Sequence, residues 1–203
     1  MKYQFVLTFV ACVALLAVGQ TPVASSKDAR CTLTREQAPQ VRDIRLGMPV
    51  AQLLDLFPED SNRRSITDAI KESKRVDKFG LARFDLRPDN QVANPRLAGV
   101  NSITVEMIDE RVTAFHVAYA GPEWKSVDQF VAKLSDSLRL PGSSWESTSE
   151  SQQSLNCDGF RVQAFAPEGS IQSSVLVQDT SAHRVVEDRR ETAKEKVRQA
   201  FRP

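Results

Sequence analysis

Apolar and polar residues alternate along the middle of the chain, over positions 102–119. Every second position is apolar on each side of a polar dipeptide, Asp109-Glu110. Period two is the pattern of a β-strand with one buried face, and a short polar turn between two such runs predicts a hairpin. His116 falls on the face opposite the apolar positions. The side chains predicted to face the core are Ile103, Val105, Met107, Phe115, Val117 and Tyr119.

Further stretches also have the composition and alternation of strands. They lie at 79–86, 153–158, 160–166 and 173–179. Asp158-Gly159 separates two of them and is a preferred hairpin dipeptide. Together with the central hairpin, these stretches predict about six strands, all antiparallel.

Helical spacing of apolar residues appears in segments before and after the central hairpin. The first predicted helix follows Pro49, and a second begins near Ser65. A third has the sequence of a capping box from Ser126 to Gln129 and is expected to end at Pro141-Gly142. These segments would supply the helical layer over the sheet.

A last helix is predicted over 181–203. It has little apolar surface, and oppositely charged residues three positions apart are expected to support it. The pairs are Glu187/Arg190, Glu191/Lys194 and Glu195/Arg198.

The order of elements predicts an α+β fold, an antiparallel sheet with helices packed on one face. We assign 27–180 to a single domain and 181–203 to the C-terminal helix. Within the domain, 43–120 and 121–180 have similar element orders and are interpreted as two degenerate α-β-β-β halves.

Residues 1–26 have the pattern of a signal peptide. Lys2 precedes an apolar run of 14 residues, 5–18, which suits a signal peptide and is short for a bilayer span. Small residues allow cleavage after Gly19 or after Ser26. We therefore expect an exported protein, periplasmic or extracellular.

Three cysteines occur in the sequence, and Cys12 lies inside the expected signal peptide. Cys31 and Cys157 remain, and an oxidising compartment favours a disulfide between them. A redox pair or a metal site is disfavoured, because no C-x-x-C motif occurs and only His116 and His183 could add imidazole ligands.

The charge balance bears on the class of partner. The sequence has 27 Lys and Arg against 26 Asp and Glu, and removal of Lys2 with residues 1–26 leaves 26 of each sign. Nucleic-acid-binding proteins usually carry a basic stripe, so nucleic acid is not an expected partner. No later segment has the length and hydrophobicity of a membrane span.

Candidate catalytic residues are few. Motifs for nucleophilic, metal or nucleotide chemistry were not found, and no catalytic, cofactor-binding or metal-binding residues are assigned. His116 is the one candidate general base, and Glu106, Asp109 and Glu110 form an acidic cluster close to it in sequence. Aromatic residues near the third helix suggest a possible binding patch, consisting of Tyr119, Trp124 and Trp145.

The stretch Ile44-Arg-Leu-Gly-Met-Pro-Val50, continued by Leu53-Leu54 and Phe57-Pro58, resembles the opening motif of SmpA/OmlA (BamE-like) domains and of the related β-lactamase-inhibitor-protein-like fold. That resemblance implies a small exported bacterial module that binds proteins without catalysis. The stretches 121–130 and 138–145 are similar to those of a family of secreted bacterial proteins to which no activity is assigned.

Two functions from different classes follow. The favoured one is a non-catalytic exported module that binds another exported or envelope protein, without a cofactor. The alternative is a secreted hydrolase whose site is assembled from distant residues around His116. The sequence does not indicate an oligomeric state.

Overall fold

A computed structural model describes residues 30–57, 60–74, 79–87 and 97–201. The predicted signal peptide and both cleavage positions lie outside these residues. The described part forms one seven-stranded antiparallel sheet with four α-helices.

The sheet is built from two meanders that meet at their last strands. Its strands are β1 (Leu81–Leu86), β2 (Val100–Ile108), β3 (Arg111–Ala120), β4 (Glu146–Ser149), β5 (Gln152–Asn156), β6 (Phe160–Phe165) and β7 (Gln172–Asp179). Their order across the sheet is β1-β2-β3-β7-β6-β5-β4, and every neighbouring pair is antiparallel. The α+β class and the antiparallel order are confirmed.

The sheet has one strand more than the predicted six. The additional strand is β4, whose sequence Glu-Ser-Thr-Ser is polar and exposed throughout. It lies at the edge of the sheet and pairs only with β5. An edge strand without a buried face has no apolar alternation, and the sequence pattern therefore did not reveal it.

The central hairpin has the predicted turn, and a β-bulge between Glu106 and Met107 sets its register. Five of the six predicted core residues are at most 1% exposed, and the sixth, Tyr119, is half-buried at the margin of the core. Asp109 and Glu110 adopt φ angles of 50° and 62°. Positive φ at both central residues is the geometry of a two-residue type I′ hairpin turn.

Four helices accompany the sheet. They are α1 (Val50–Leu56), α2 (Asp60–Glu72), α3 (Val127–Leu138) and α4 (Ala182–Ala200). Leu53 of α1, Ile66 of α2 and Phe130 of α3 belong to the same buried cluster as the inward side chains of the strands. These three helices thus cover the inner face of the sheet, as predicted.

The start of α2 differs from the prediction. The helix already includes residues 60–64, and Ser65 lies inside it, where its hydroxyl donates to the Asp85 carbonyl at 3.4 Å. Asn62 is 5% exposed and donates to the Arg87 carbonyl. Because polar residues fill this first part of the helix, no apolar spacing marked its beginning.

The caps of α3 follow the sequence closely. Ser126 accepts a hydrogen bond from the Gln129 amide at 3.3 Å, while the Gln129 side chain accepts from the Lys125 amide at 3.0 Å. The helix ends at Leu138, since Arg139 adopts a left-handed conformation with φ 57°. That is earlier than the predicted end at Pro141-Gly142, which instead begins a short 3-10 turn.

The motif around Gly47 attaches the start of α1 to the central hairpin. Gly47 has φ +75°, a conformation that favours glycine, and its amide donates to the Val112 carbonyl at 2.7 Å. The Val50 amide donates to the Glu110 carbonyl at 2.9 Å. The motif therefore has a structural role in this chain: it holds the entry to α1 against the β2–β3 turn.

A disulfide joins Cys31 to Cys157, with Cα atoms 4.8 Å apart, as predicted. Next to it, Arg35 donates through Nε to Asp179 at 2.5 Å. The Asp179 side chain is only 4% exposed and also accepts from the amide and hydroxyl of Ser181. These contacts fasten the N-terminal segment to the β5–β6 turn and to the end of β7.

Helix α4 leaves the end of β7 and is held at the β2–β3 turn by Arg189. Of its predicted charge pairs, Glu191–Lys194 and Glu195–Arg198 are formed, at 2.6 and 3.4 Å. Val186 is buried, whereas residues 194–201 are exposed. None of the helices in the described ranges combines the length and hydrophobicity needed to cross a bilayer.

Candidate functional site

The face of the sheet opposite the core carries a continuous row of side chains. Strand register places Thr104, His116, Leu176 and Gln163 next to one another on β2, β3, β7 and β6. Alternation along the strands adds Phe165 on β6 and Gln178 on β7. These six residues define what we call the outer face.

The outer face has an apolar centre with polar side chains around it, and the ion pair of Arg83 and Glu106 lines one of its two depressions. Phe165 is 41% exposed and Leu176 is partly exposed, although both occupy positions that usually carry polar residues in a one-sided sheet. Amide side chains flank them on both sides. Two open depressions of about 470 and 350 Å³ share His116 and Leu176 in their walls.

His116 lies half-buried within this row. Burial of the imidazole lowers its pKa below 6.5, and the nearby positive charge of Arg83 lowers it further. The ring is therefore neutral near pH 7. Among the described residues, no carboxylate is hydrogen-bonded to it, so the arrangement lacks the group that usually orients a catalytic histidine.

The acidic residues near the hairpin turn do not form a paired-carboxylate site. Each has its own cationic partner: Arg83 for Glu106 at 3.2 Å, Arg189 for Asp109 at 2.6 Å, and Lys74 for Glu110. Hydrogen bonds from Arg189 lower the pKa of Asp109. The three carboxylates thus act as separate ion-pair partners.

The predicted aromatic patch is only partly assembled. Tyr119 and Trp124 both contact Phe130 of α3, with ring centroids 6.5 and 5.2 Å apart. Trp145 instead donates its indole N–H to the Ser135 hydroxyl at 2.9 Å. All three are partly buried and packed against the core, and of the three Tyr119 alone also lines the 470 Å³ depression of the outer face.

No metal site is evident in the part of the chain that the structure describes. Within those ranges, no three His, Cys, Asp or Glu side chains lie close enough together to hold an ion. Cys31 and Cys157 are joined to each other.

Sequence reasoning did not identify Leu176, Phe165 and the amides beside them. The strands that carry them were predicted, but only their inward side chains were considered. The signal was present: a leucine and a phenylalanine occupy outward positions of two neighbouring strands. It becomes interpretable once the register places β6, β7 and β3 side by side.

Comparisons of the chain with protein-family models, with curated proteins and with solved structures found no match.

Proposed function

We propose that the protein is a non-catalytic exported module that binds another exported or envelope protein through the outer face of its sheet. The observation that carries the proposal is the pair of Phe165, which is 41% exposed, and Leu176, which is partly exposed, flanked by amide side chains on the face opposite the core. An apolar centre with a polar surround is the usual anatomy of a protein interface.

The size of the face suits a protein partner. Seven strands of 4–10 residues, spaced about 4.8 Å apart and roughly 20 Å long on average, offer roughly 600–700 Å². A standard interface buries about 800 Å² on each partner. The side chains stand on paired strands, and a rigid surface of this kind loses little conformational entropy on binding.

The surroundings of His116 support binding over hydrolysis. Its cross-strand neighbours are Thr104 and Leu176, and its neutral ring lies in an open depression. Such a ring can donate and accept hydrogen bonds across an interface. The resemblance of the Gly47 motif to BamE-like domains suggests the same class of function and an exported location, with which the disulfide is consistent.

Site-specific photo-crosslinking in the producing cells tests the proposal. A photoreactive residue is placed at Gln163 or Gln178 on the outer face, or at the exposed helix positions Asp55 or Lys71 as controls. We expect one exported protein to crosslink from both outer-face positions and from neither helix position. Crosslinking to the same protein from all four positions, or from none, would overturn the proposal.

A further inference from the structure

A cleft on the helical side of the sheet forms a second candidate site, which shares Tyr119 and Ser173 with the wall of the larger outer-face depression. It has a volume of about 490 Å³ and lies between α3, the connection from β3 to α3, and residues 98–99. Small-molecule sites typically span about 300–1,000 Å³. We call it the α3 cleft; the lining residues used below are Tyr119, Trp124, Phe130, Leu134, Arg42 and Lys133.

The wall of the α3 cleft is apolar and aromatic. Phe130 lies between Tyr119 and Trp124, with the ring contacts already described. Burial raises the pKa of the Tyr119 phenol, which stays neutral. An apolar molecular body is the natural occupant of such a wall.

The charged groups among the described lining residues of the α3 cleft are both cations. Arg42 lies over the Tyr119 ring, 5.7 Å from its centroid, and donates to the Ala98 carbonyl at 3.0 Å. Lys133 projects from the exposed side of α3. Two cations at one apolar cleft favour a ligand that carries a negative charge.

The backbone holds Arg42 in an unusual conformation. Arg42 and Asp43 have φ angles of 53° and 66°, in a tight turn closed by two hydrogen bonds of 3.0 Å between Val41 and Ile44. Positive φ at two successive residues is the geometry of a type I′ turn, the turn that Asp109 and Glu110 also form. Here the turn places a guanidinium at the mouth of an aromatic cleft.

We propose that the α3 cleft binds a small amphipathic carboxylate, with its apolar body against the three rings and its carboxylate at Arg42 and Lys133. This inference does not depend on the proposed function of the outer face. The site contributes no reacting group, and the ligand is bound without chemical change.

The position of the tryptophans provides a direct readout. The sequence has two, and only Trp124 lines the cleft. In Trp145→Phe, Trp124 is the sole tryptophan and reports occupancy by its fluorescence. We use decanoate as the probe and decanol, which has the same chain length without the charge, as its matched control. Saturable binding of decanoate at least tenfold tighter than decanol is expected.

Substitutions at the cations identify the site. In the Trp145→Phe background, Lys133→Glu is expected to weaken decanoate binding at least tenfold, whereas Lys125→Glu, at an exposed lysine outside the cleft, leaves it unchanged. Arg42→Gln provides a second test, and urea unfolding verifies that each variant is folded. Leu176→Asp on the outer face must not change the affinity.

Three outcomes would overturn the proposal. The first is equal affinity for decanoate and decanol, which would show that the cleft binds apolar chains without recognising the carboxylate. The second is unchanged decanoate affinity in both Lys133→Glu and Arg42→Gln. The third is no saturable change in Trp124 fluorescence with either probe.

Discussion

Arg189 on α4 and Asp109 at the β2–β3 turn form a two-point ion pair, with N–O distances of 3.0 and 2.6 Å. The same guanidinium donates to the Phe79 carbonyl at 2.6 Å. One side chain therefore joins the C-terminal helix to two segments that are 80 and 110 residues away in sequence.

Removal of this contact should loosen α4 with little effect on the domain. The Asp109 side chain is 60% exposed, so solvent screening limits the contribution of the pair to global stability to about 1 kcal/mol or less. In Arg189→Gln we expect faster amide hydrogen exchange over residues 182–193. Lys194→Ala, which breaks a pair on the exposed part of the helix, is the control and should leave exchange over 182–189 unchanged. Equal exchange in Arg189→Gln and the wild type would contradict this role.

The disulfide should contribute strongly to stability, because 126 positions separate Cys31 and Cys157. In the chain-entropy model, closing a loop of that length stabilises the folded state by up to about 5 kcal/mol. We expect the free energy of unfolding in urea to decrease by about 2–5 kcal/mol when reductant is added to the wild type. The variant Cys31→Ser/Cys157→Ser should show the same decrease without reductant. A double variant as stable as the oxidised protein would refute the prediction.

The buried carboxylate of Asp179 should make stability pH-dependent. Burial alone would raise its pKa, but the hydrogen bonds from Ser181 and the charge of Arg35 outweigh burial and hold the pKa below 3.8. A carboxyl whose pKa is lower in the folded than in the unfolded state stabilises above the unfolded pKa, about 3.9. That contribution is lost as the pH falls through the lower, folded pKa.

Asp179→Asn isolates this contribution. At pH 7 the variant should be about 1–3 kcal/mol less stable, the usual effect of losing hydrogen bonds to a charged group. Urea unfolding from about pH 5 down to pH 2 should show the two proteins converging as the carboxylate is protonated. A difference that stays constant over this range would show that Asp179 acts through packing alone.

His116 should titrate below its usual pKa of 6.5, because burial and then Arg83 both disfavour the imidazolium. NMR titration of the imidazole protons measures this, with His183→Gln to assign the two histidines. Arg83→Gln should raise the midpoint of the His116 titration only part of the way to 6.5, because burial is the larger cause of the lowered pKa. Protonation then favours the unfolded chain, so stability decreases as the pH falls below about 6.5. A midpoint above 6.5 would indicate a carboxylate partner and revive a catalytic role.

Much of the fold could be predicted because its apolar pattern is regular. Ile103, Val105 and Met107 alternate without interruption, and the sequence around Ser126 has a recognisable cap. Strand alternation and helix capping both depend on residues only a few positions apart, so they can be recognised in the sequence. The predicted disulfide required only two remaining cysteines and an oxidising compartment.

The features that the sequence did not predict depend on contacts between residues that are distant in the chain. Strand β4 exists because β5 offers it backbone partners, although its own residues are polar. Leu176 becomes part of a surface only when the register places it between His116 and Gln163. Trp145 was grouped with Tyr119 and Trp124 by composition, but its hydrogen bond to Ser135 places it elsewhere on α3.

The central claim is that the outer face binds a protein. Its most direct test measures the affinity of the purified partner identified by crosslinking for the wild type, Leu176→Asp and Val197→Asp. Val197 is an apolar residue on α4 that is 71% exposed, so it controls for the loss of an exposed apolar side chain as such. A hot-spot residue at the centre of an interface contributes about 2 kcal/mol or more, and Leu176→Asp also places an unpaired charge there. We therefore expect Leu176→Asp to weaken binding at least about 30-fold while Val197→Asp leaves it unchanged. Unchanged affinity in Leu176→Asp, or an equal loss in both variants, would contradict the account.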